Sequence, residues 1–159
     1  MSILGNDRQV YFRFERTGVW PPVPSEGLRV EDLGDGTYRV TEVPFFVLNI
    51  GLGDVVRAEV GGIEKVLWAG ERVSWGGHQT VRVNPRRDTG GPDCAEVLEL
   101  FGGLGVGGET LEEYALVALD VPPGVDPVPV KRLLDEGLQA QRWWFEEACI
   151  GPSWPARVV

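Results

Sequence analysis

Cysteine and histidine are scarce in this sequence, and their scarcity excludes several kinds of site. The chain contains two cysteines, Cys94 and Cys149, and a single histidine, His78. Because the cysteines lie far apart without a Cys-x-x-Cys spacing, a zinc site would have to be completed by carboxylates. We therefore expect no metal and no cofactor, and we expect both thiols to be reduced.

Long apolar runs are also lacking. No window of the sequence approaches the roughly 20 apolar residues of a transmembrane helix. Residues 1–8 contain no apolar run of signal-peptide length. These absences predict a cytoplasmic protein without a membrane partner.

Positive charge is in deficit. The chain has 15 lysines and arginines against 24 aspartates and glutamates, a net charge of −9. Because affinity for the nucleic-acid backbone rests on clustered Lys and Arg, this balance disfavours nucleic acid as a partner. It leaves room for a basic protein partner.

What the chain does contain is the composition of an ordinary soluble globule. Of its 159 residues, 43% are hydrophobic and 25% are charged, which argues against wholesale disorder and against a fibrous repeat. A chain of this length forms one domain or two small lobes and buries roughly 70% of its unfolded surface. It can therefore build a core without a metal or a disulfide scaffold.

The first half of the chain has the pattern of short strands. Val10, Phe12 and Phe14 alternate with polar residues, which is the period of a half-buried strand. The pair Asp35-Gly36 suits a tight hairpin turn, and residues 44–47 form a further apolar strand segment. Other short strands follow between glycines, and no helical period occurs before residue 90.

These strands predict the architecture of the first half. Short strands separated by glycines favour a small β-barrel or a strongly curved antiparallel sheet. We assign it to residues 1–76 and expect Trp68 and Trp75 to fill or line it.

The second half changes period. Asp93 and Glu96 form a capping box that predicts a helix up to Gly102-Gly103. An apolar run at residues 114–119 predicts a buried strand, and Asp126-Pro127 predicts the start of a brief second helix that ends before Gly137. A last strand follows at residues 141–145.

The order strand, helix, strand, helix, strand is that of split β-α-β units. We therefore predict an α+β fold with a ferredoxin-like part over residues 77–150. A tail, residues 151–159, is expected to trail outward. The glycine-rich segment 102–108 follows a helix and does not lead into one, so we expect a flexible connection there and not a phosphate loop.

A family resemblance rests on segments that are specific only in combination. They are the strand at residues 10–14, Trp20-Pro-Pro, Gly36-Thr-Tyr-Arg-Val, Val43-Pro-Phe-Phe, Gly53-Asp-Val-Val, Asp120-Val-Pro-Pro and the helix with Leu133-Leu134. With these segments the chain resembles the bacterial domain-of-unknown-function family 4265, from about residue 10 to residue 150. The resemblance implies a small, stand-alone bacterial domain, without an assigned activity or agreed catalytic residues.

Four residues are candidates for chemistry, and each candidate site has a structural alternative. Cys94 falls in the first turn of a predicted helix, whose dipole favours a thiolate, but it also fits an apolar stripe. His78 is of the type that serves as general base near neutral pH, but no nucleophile accompanies it, and a surface or hydrogen-bonded structural histidine is the alternative. Asp54 and Glu59 supply two carboxylates, whereas an aspartate after Gly53 usually bonds the turn backbone. We assign catalysis to none of them.

Aromatic and basic residues are the candidates for binding. Trp143 and Trp144 face opposite sides of the predicted last strand, so at least one lies near the surface. Three arginines surround Asn84-Pro85, and their guanidinium forks suit carboxylate or phosphate, with pairing to nearby aspartates as the alternative. The selected binding residues are Trp75, Trp143, Trp144, Arg82, Arg86 and Arg87.

No recognisable catalytic motif remains after this survey. We expect a noncatalytic binding protein with a protein partner, for example an immunity factor that neutralises a toxin, or a regulatory protein. The alternative is a small-molecule carrier or enzyme that uses a cleft between the two halves, lined by Trp75, His78 and Cys94.

Overall fold

The structure is a computed structural model and describes residues 8–15, 18–63 and 65–155. It contains two units, one of residues 1–76 and one of residues 77–159. Each unit has its own sheet and its own hydrophobic core.

The first unit is one curved sheet of five strands. They are β1 Arg8–Arg13, β2 Ser25–Asp32, β3 Thr37–Val40, β4 Val55–Gly61 and β5 Val66–Ser74. Consecutive strands pair antiparallel, and β1 also pairs with β5 in parallel through Val10↔Leu67 and Tyr11↔Trp68. The sheet curves until its first and last strands meet along this short seam, which agrees with the predicted strong curvature.

Alternate side chains fill the inside of the curved sheet. The buried apolar residues of this core are Val10, Phe12, Leu28, Val30, Tyr38, Val40, Val47, Ile50, Val56 and Ala58. Trp68 lies on the outer face, because its register partner Tyr11 follows the buried Val10. Its ring packs 5.9 Å from the ring of Tyr11, so Trp68 does not fill the sheet.

A loop replaces the strand predicted at residues 44–47. The carboxylate of Glu26 accepts the backbone N–H groups of Phe45, Phe46 and Val47 at 2.7, 3.0 and 3.0 Å. These bonds satisfy the backbone in place of a strand ladder. The prediction of a strand was wrong because a distant side chain supplies the missing partners.

The second unit combines four strands with two helices. Its elements are β6 Gln79–Pro85, α1 Cys94–Gly102, β7 Gly107–Leu111, β8 Leu116–Val121, α2 Pro127–Gln139 and β9 Trp143–Cys149. The strands lie in the order β7-β8-β6-β9, and all neighbours pair antiparallel. The chain is therefore α+β, as predicted.

Strand β7 corrects the interpretation of the glycine-rich segment. Gly107 and Gly108, at the end of the segment expected to be a flexible connection, belong to β7, which pairs with β8 along its whole length. A Cβ atom on Gly108 would lie 2.4 Å from the carbonyl oxygen of Ala118. Glycine at position 108 therefore permits two strands to approach closely. Composition alone does not distinguish this role of glycine from chain flexibility.

Both helices cover the same face of this sheet. The shared core contains Val81, Val83, Cys94, Val97, Phe101, Val106, Val117, Leu119, Val121, Val130, Leu134, Trp143 and Trp154. The predicted helix starts are confirmed: Asp93 Oδ1 accepts the N–H of Glu96 at 2.8 Å, and Asp126 Oδ1 accepts that of Val128 at 3.0 Å. In the described part of the chain, no helix has the length and apolarity needed to span a membrane.

Helix α2 is longer than predicted, because Gly137 continues it. A Cβ atom at this position would lie 2.0 Å from the indole ring of Trp143. The glycine therefore makes room for a tryptophan and does not end the helix.

The described part of the tail packs back onto the second unit. Trp154 belongs to the core, and the N–H of Gly151 donates to Gln79 Oε1 at 2.9 Å. The expectation that the tail trails outward was wrong for residues 151–155; residues 156–159 lie outside the described range.

Candidate functional site

Strand β9 separates the two neighbouring tryptophans that the sequence singled out. Trp143 is fully buried, and its Nε1–H donates to the carbonyl oxygen of Leu134 at 3.0 Å. Its ring centroid lies 5.7 Å from that of Phe101. Trp143 is thus a core residue and not the binding residue that the sequence suggested.

Trp144 points to the opposite side and is 54% exposed. The guanidinium carbon of Arg86 lies 4.6 Å from its ring centroid, a cation–π distance. Arg86 Nη2 also donates to Asp88 Oδ2 at 3.0 Å. We call Trp144, Arg86 and Asp88 the Trp144 surface; it adjoins β9, which is an edge strand.

Backbone contacts fix the Trp144 surface. Asn84 is the register partner of Trp144, and the N–H of Arg86 donates to the carbonyl oxygen of Arg142 at 2.8 Å. A Cβ atom on Gly91 would lie 2.5 Å from the carbonyl oxygens of Arg86 and Arg142. The loop therefore requires glycine at this position, and it holds Arg86 beside the indole.

The three arginines of the predicted basic patch have different environments in the structure. Arg82 is only 4% exposed, and its Nε donates to Glu146 Oε1 at 2.9 Å. Arg86 is paired with Asp88, and Arg87 is exposed in a short 3-10 turn. The pairing with acidic residues that the sequence offered as an alternative applies to Arg82 and Arg86, although Arg82 pairs with Glu146 and not with an aspartate.

His78 forms a polar pair that sequence inspection missed. Its Nδ1 lies 2.8 Å from Oδ1 of Asp120, and both side chains are largely buried. Burial raises the pKa of the Asp120 carboxyl, while the hydrogen bond and charge of His78 oppose that rise. The sequence did contain a signal for this pair, because Asp120 is an aspartate within the otherwise apolar strand β8.

Two further polar side chains share the sheet face of Asp120. Thr80 is the register partner of Asp120 on one side and of Cys149 on the other. Thr80 and Cys149 are buried, and no hydrogen-bond partner for Thr80 Oγ1 occurs among the described residues.

Cys94 begins helix α1 and is buried in its core. Burial raises the pKa of its thiol, and the charge and hydrogen bond of Glu112 raise it further, while Arg87 has a weaker opposite effect. The helix start therefore does not favour a thiolate here.

His78 and Cys94 are not brought together. His78 precedes strand β6, whereas Cys94 is near Arg87, beyond the other end of that strand. Seven residues of strand separate these ends by about 20 Å.

Asp54 is a fully buried organiser of backbone turns. Its carboxylate accepts the N–H groups of Gly51 at 2.9 Å and Gly76 at 2.7 Å, and Arg72 Nη1 lies 3.3 Å away. Glu59 is exposed farther along β4, so the two carboxylates do not form an acid–base pair. The alternative offered by the sequence, an aspartate that bonds the turn backbone, therefore describes Asp54.

Trp75 follows β5 in the first unit and is 38% exposed. Across the residues that the structure describes, no group of three His, Cys, Asp or Glu side chains has the arrangement of a metal site. Trp144 is more exposed than Trp75 and has a cation–π contact with Arg86.

Comparison with known proteins now identifies the family. A family model for a domain of unknown function, DUF4265, matches residues 26–145. The chain belongs to this family. A DUF4265 assignment agrees with the resemblance noted from the sequence and brings no activity with it.

A solved structure shows the same fold. The chain is 19% identical to a hypothetical protein from Neisseria gonorrhoeae, with a TM-score of 0.77, and the match covers 91% of this chain and 96% of that one. The comparison with curated proteins finds no match. The family model therefore gives the family and the solved structure gives the fold, and any function has to be argued from the chain's own residues.

Proposed function

We propose that this DUF4265 chain is a noncatalytic protein that binds another protein through the Trp144 surface. The observation that carries the proposal is the half-exposed indole of Trp144 with Arg86 stacked on it. Trp and Arg dominate the energetic centres of protein interfaces. The stack and the pair with Asp88 hold Arg86 in place, so less side-chain freedom is lost on binding.

The charge of the chain favours a basic partner. A net charge of −9 would steer a positively charged protein toward it and raise the association rate at low salt. An immunity-type or regulatory role fits this size and charge. The cytoplasmic location, expected from the sequence, belongs to the same proposal.

The second unit supports the finer fold assignment. Its strand–helix–strand–strand–helix–strand order, with the spatial order β7-β8-β6-β9, supports a ferredoxin-like arrangement. In this arrangement β9 is an edge strand, and the Trp144 surface lies where a partner has access.

Affinity capture with a matched control tests the proposal. Wild-type protein and the variants Trp144→Ala and Cys94→Ser would be exposed to an extract of the source cells, and retained proteins quantified by mass spectrometry. We expect a basic protein that the wild type and Cys94→Ser retain and Trp144→Ala loses. With the purified partner, calorimetry should show a Kd at least about 30-fold weaker for Trp144→Ala. If no retained protein depends on Trp144, the proposal is wrong.

One observation favours the alternative, a small-molecule carrier or enzyme. The His78–Asp120 pair has the geometry of a base held by a carboxylate. Such an activity would require His78 but not Cys94. His78 directly precedes β6, whereas Cys94 starts α1, beyond the other end of that strand. Loss of a measured turnover in a folded His78→Asn variant, with Cys94→Ser unaffected, would favour it over the binding proposal.

A further inference from the structure

The seam of the first unit closes over only part of strand β5. β1 pairs with β5 at Leu67 and Trp68, and β4 pairs with the other edge of β5 between Val66 and Ser74, with register shifts between Ala69 and Arg72 and between Arg72 and Ser74. In the described part of the chain no strand pairs with the seam-side edge from Ala69 to Glu71. This segment therefore presents unpaired strand backbone.

A groove opens where β1 and β5 diverge. A cavity of about 590 Å³ lies there, lined by the core side chains Phe12, Val47 and Ile50 and by Ala69 and Gly70 of β5. The volume is within the range of natural ligand sites. The buried core residues Phe12, Val47 and Ile50 form an apolar base, whereas Arg13, Asn49 and Arg72 make other parts of the lining polar. A side chain pointing inward from a bound segment would meet this apolar base.

A second cavity continues the groove on the outer face. It has a volume of about 680 Å³ and shares Arg13, Trp68, Ala69 and Gly70 with the first. Glu59 also lines it. Its further lining reaches across the outer face to residues 57–62 on the β4 side, so an occupant of the groove can also contact that face.

The groove also carries a cation, Arg13. The guanidinium carbon of Arg13 lies 4.0 Å from the ring centroid of Trp68, and no carboxylate forms an ion pair with it among the described residues. Nearby Arg57, in contrast, pairs with Glu71 at 3.3 Å. Stacking on the indole orients the planar guanidinium and leaves its donors for a carboxylate.

We propose that this groove binds an extended segment of another polypeptide, which pairs with β5 at Ala69–Glu71 and places an Asp or Glu side chain on Arg13. The unpaired edge requires repeated backbone donors and acceptors, which an extended peptide supplies and a small carboxylate does not. Every second side chain of such a segment would point inward and contact the apolar base of the groove. Glu59 disfavours a second acidic side chain farther along. The site lies in the first unit and does not rest on the Trp144 surface.

A peptide library tests the site directly. Random seven-residue peptides with blocked ends would be selected on the wild type and on two variants, Arg13→Gln and Arg39→Gln. Arg39 is a matched control, because it is an exposed arginine on β3, paired with Glu31 at 3.5 Å and absent from the groove lining. We expect selected peptides to combine one acidic residue with alternating aliphatic residues, and Arg13→Gln to weaken them at least tenfold while Arg39→Gln does not.

Nuclear magnetic resonance locates the selected peptide. Its addition should shift the Trp68 indole signal and the amide signals of Ala69, Gly70 and Glu71. N-methylation of the peptide backbone at alternate positions should abolish binding, because it removes the ladder donors while leaving every side chain. This second readout holds even if Arg13→Gln were to unfold.

Three results would overturn the proposal: no enriched peptide, enriched peptides that lack a carboxylate, or binding that tolerates N-methylation. Trp144→Ala should leave the peptide affinity unchanged. If that variant removed binding, the site would belong to the second unit, and the groove proposal would be wrong. Conversely, peptide binding that persists when no partner depends on Trp144 would separate the two proposals.

Discussion

The two units bury a sheet face in different ways. In the first, five strands curve until β1 meets β5, so the sheet encloses its own apolar side chains. In the second, four strands remain open, and α1 and α2 cover one face. A sheet that curves on itself needs no helix to bury its inner face, whereas an open sheet needs a second layer.

The units also use their buried polar groups differently. Glu26 and Asp54 in the first unit bind backbone N–H groups of loops. In the second, Arg82–Glu146 and His78–Asp120 are side-chain pairs on the sheet. Glu26 and Asp54 therefore fix loops, whereas Arg82 connects the neighbouring strands β6 and β9 and His78 binds a carboxylate of β8.

The largest effect is expected in the helix-covered core. Trp143→Ala should lower the free energy of unfolding by about 3–5 kcal/mol, because it empties a fully buried site beside Gly137 and removes the hydrogen bond to Leu134. Urea unfolding followed by circular dichroism would measure it.

The neighbouring residue is the control for that prediction. Trp144→Ala loses an exposed ring and its stack with Arg86, and should cost less than about 1 kcal/mol. Equal losses for the two variants would mean that the two faces of β9 do not differ as described.

A loop effect of intermediate size is expected in the first unit. Glu26→Ala leaves three backbone N–H groups, those of Phe45, Phe46 and Val47, without their carboxylate and should cost about 2–3 kcal/mol. Glu31→Ala, on the exposed side of the same strand, is expected to change stability by less than about 1 kcal/mol. A Glu26 variant as stable as the Glu31 variant would show that the loop does not depend on this carboxylate.

The smallest effect is a pH dependence in the second unit. Because the folded state raises the pKa of Asp120, it binds more protons than the unfolded chain above the ordinary aspartate pKa of about 3.9. The stabilisation that Asp120 contributes is therefore lost as the pH rises through the raised pKa of its carboxyl. Asp120→Asn lacks this contribution, so the difference in unfolding free energy, wild type minus variant, should fall as the pH rises from about 4. A difference that rises with pH would mean that attraction to His78 outweighs burial.

Local patterns in the sequence were sufficient wherever a few neighbouring residues control the structure. Alternation along β9 predicted the separation of Trp143 and Trp144, and the capping box predicted the start of α1. Likewise Asp35-Gly36 predicted the first hairpin, where Gly36 has a φ of 83°. In each case steric and hydrogen-bonding preferences act within one turn or one strand.

Features that depend on distant residues could not be predicted from the sequence. Glycine at position 108 signifies a close approach to Ala118, and glycine at 137 accommodates Trp143, yet both look like chain breakers in sequence. The Trp144–Arg86 stack needed the register of β6 and β9 to be known.

Periodicity and capping therefore specify most elements of this chain and its α+β class, and composition gives its net charge of −9, because those properties depend on residue types and short spacings. The tertiary structure alone brings Asp120 to His78 and Arg13 to Trp68, because each pair joins residues more than 40 positions apart whose meeting depends on strand order and register. Contacts of this kind carry the buried polar pair and the proposed peptide groove.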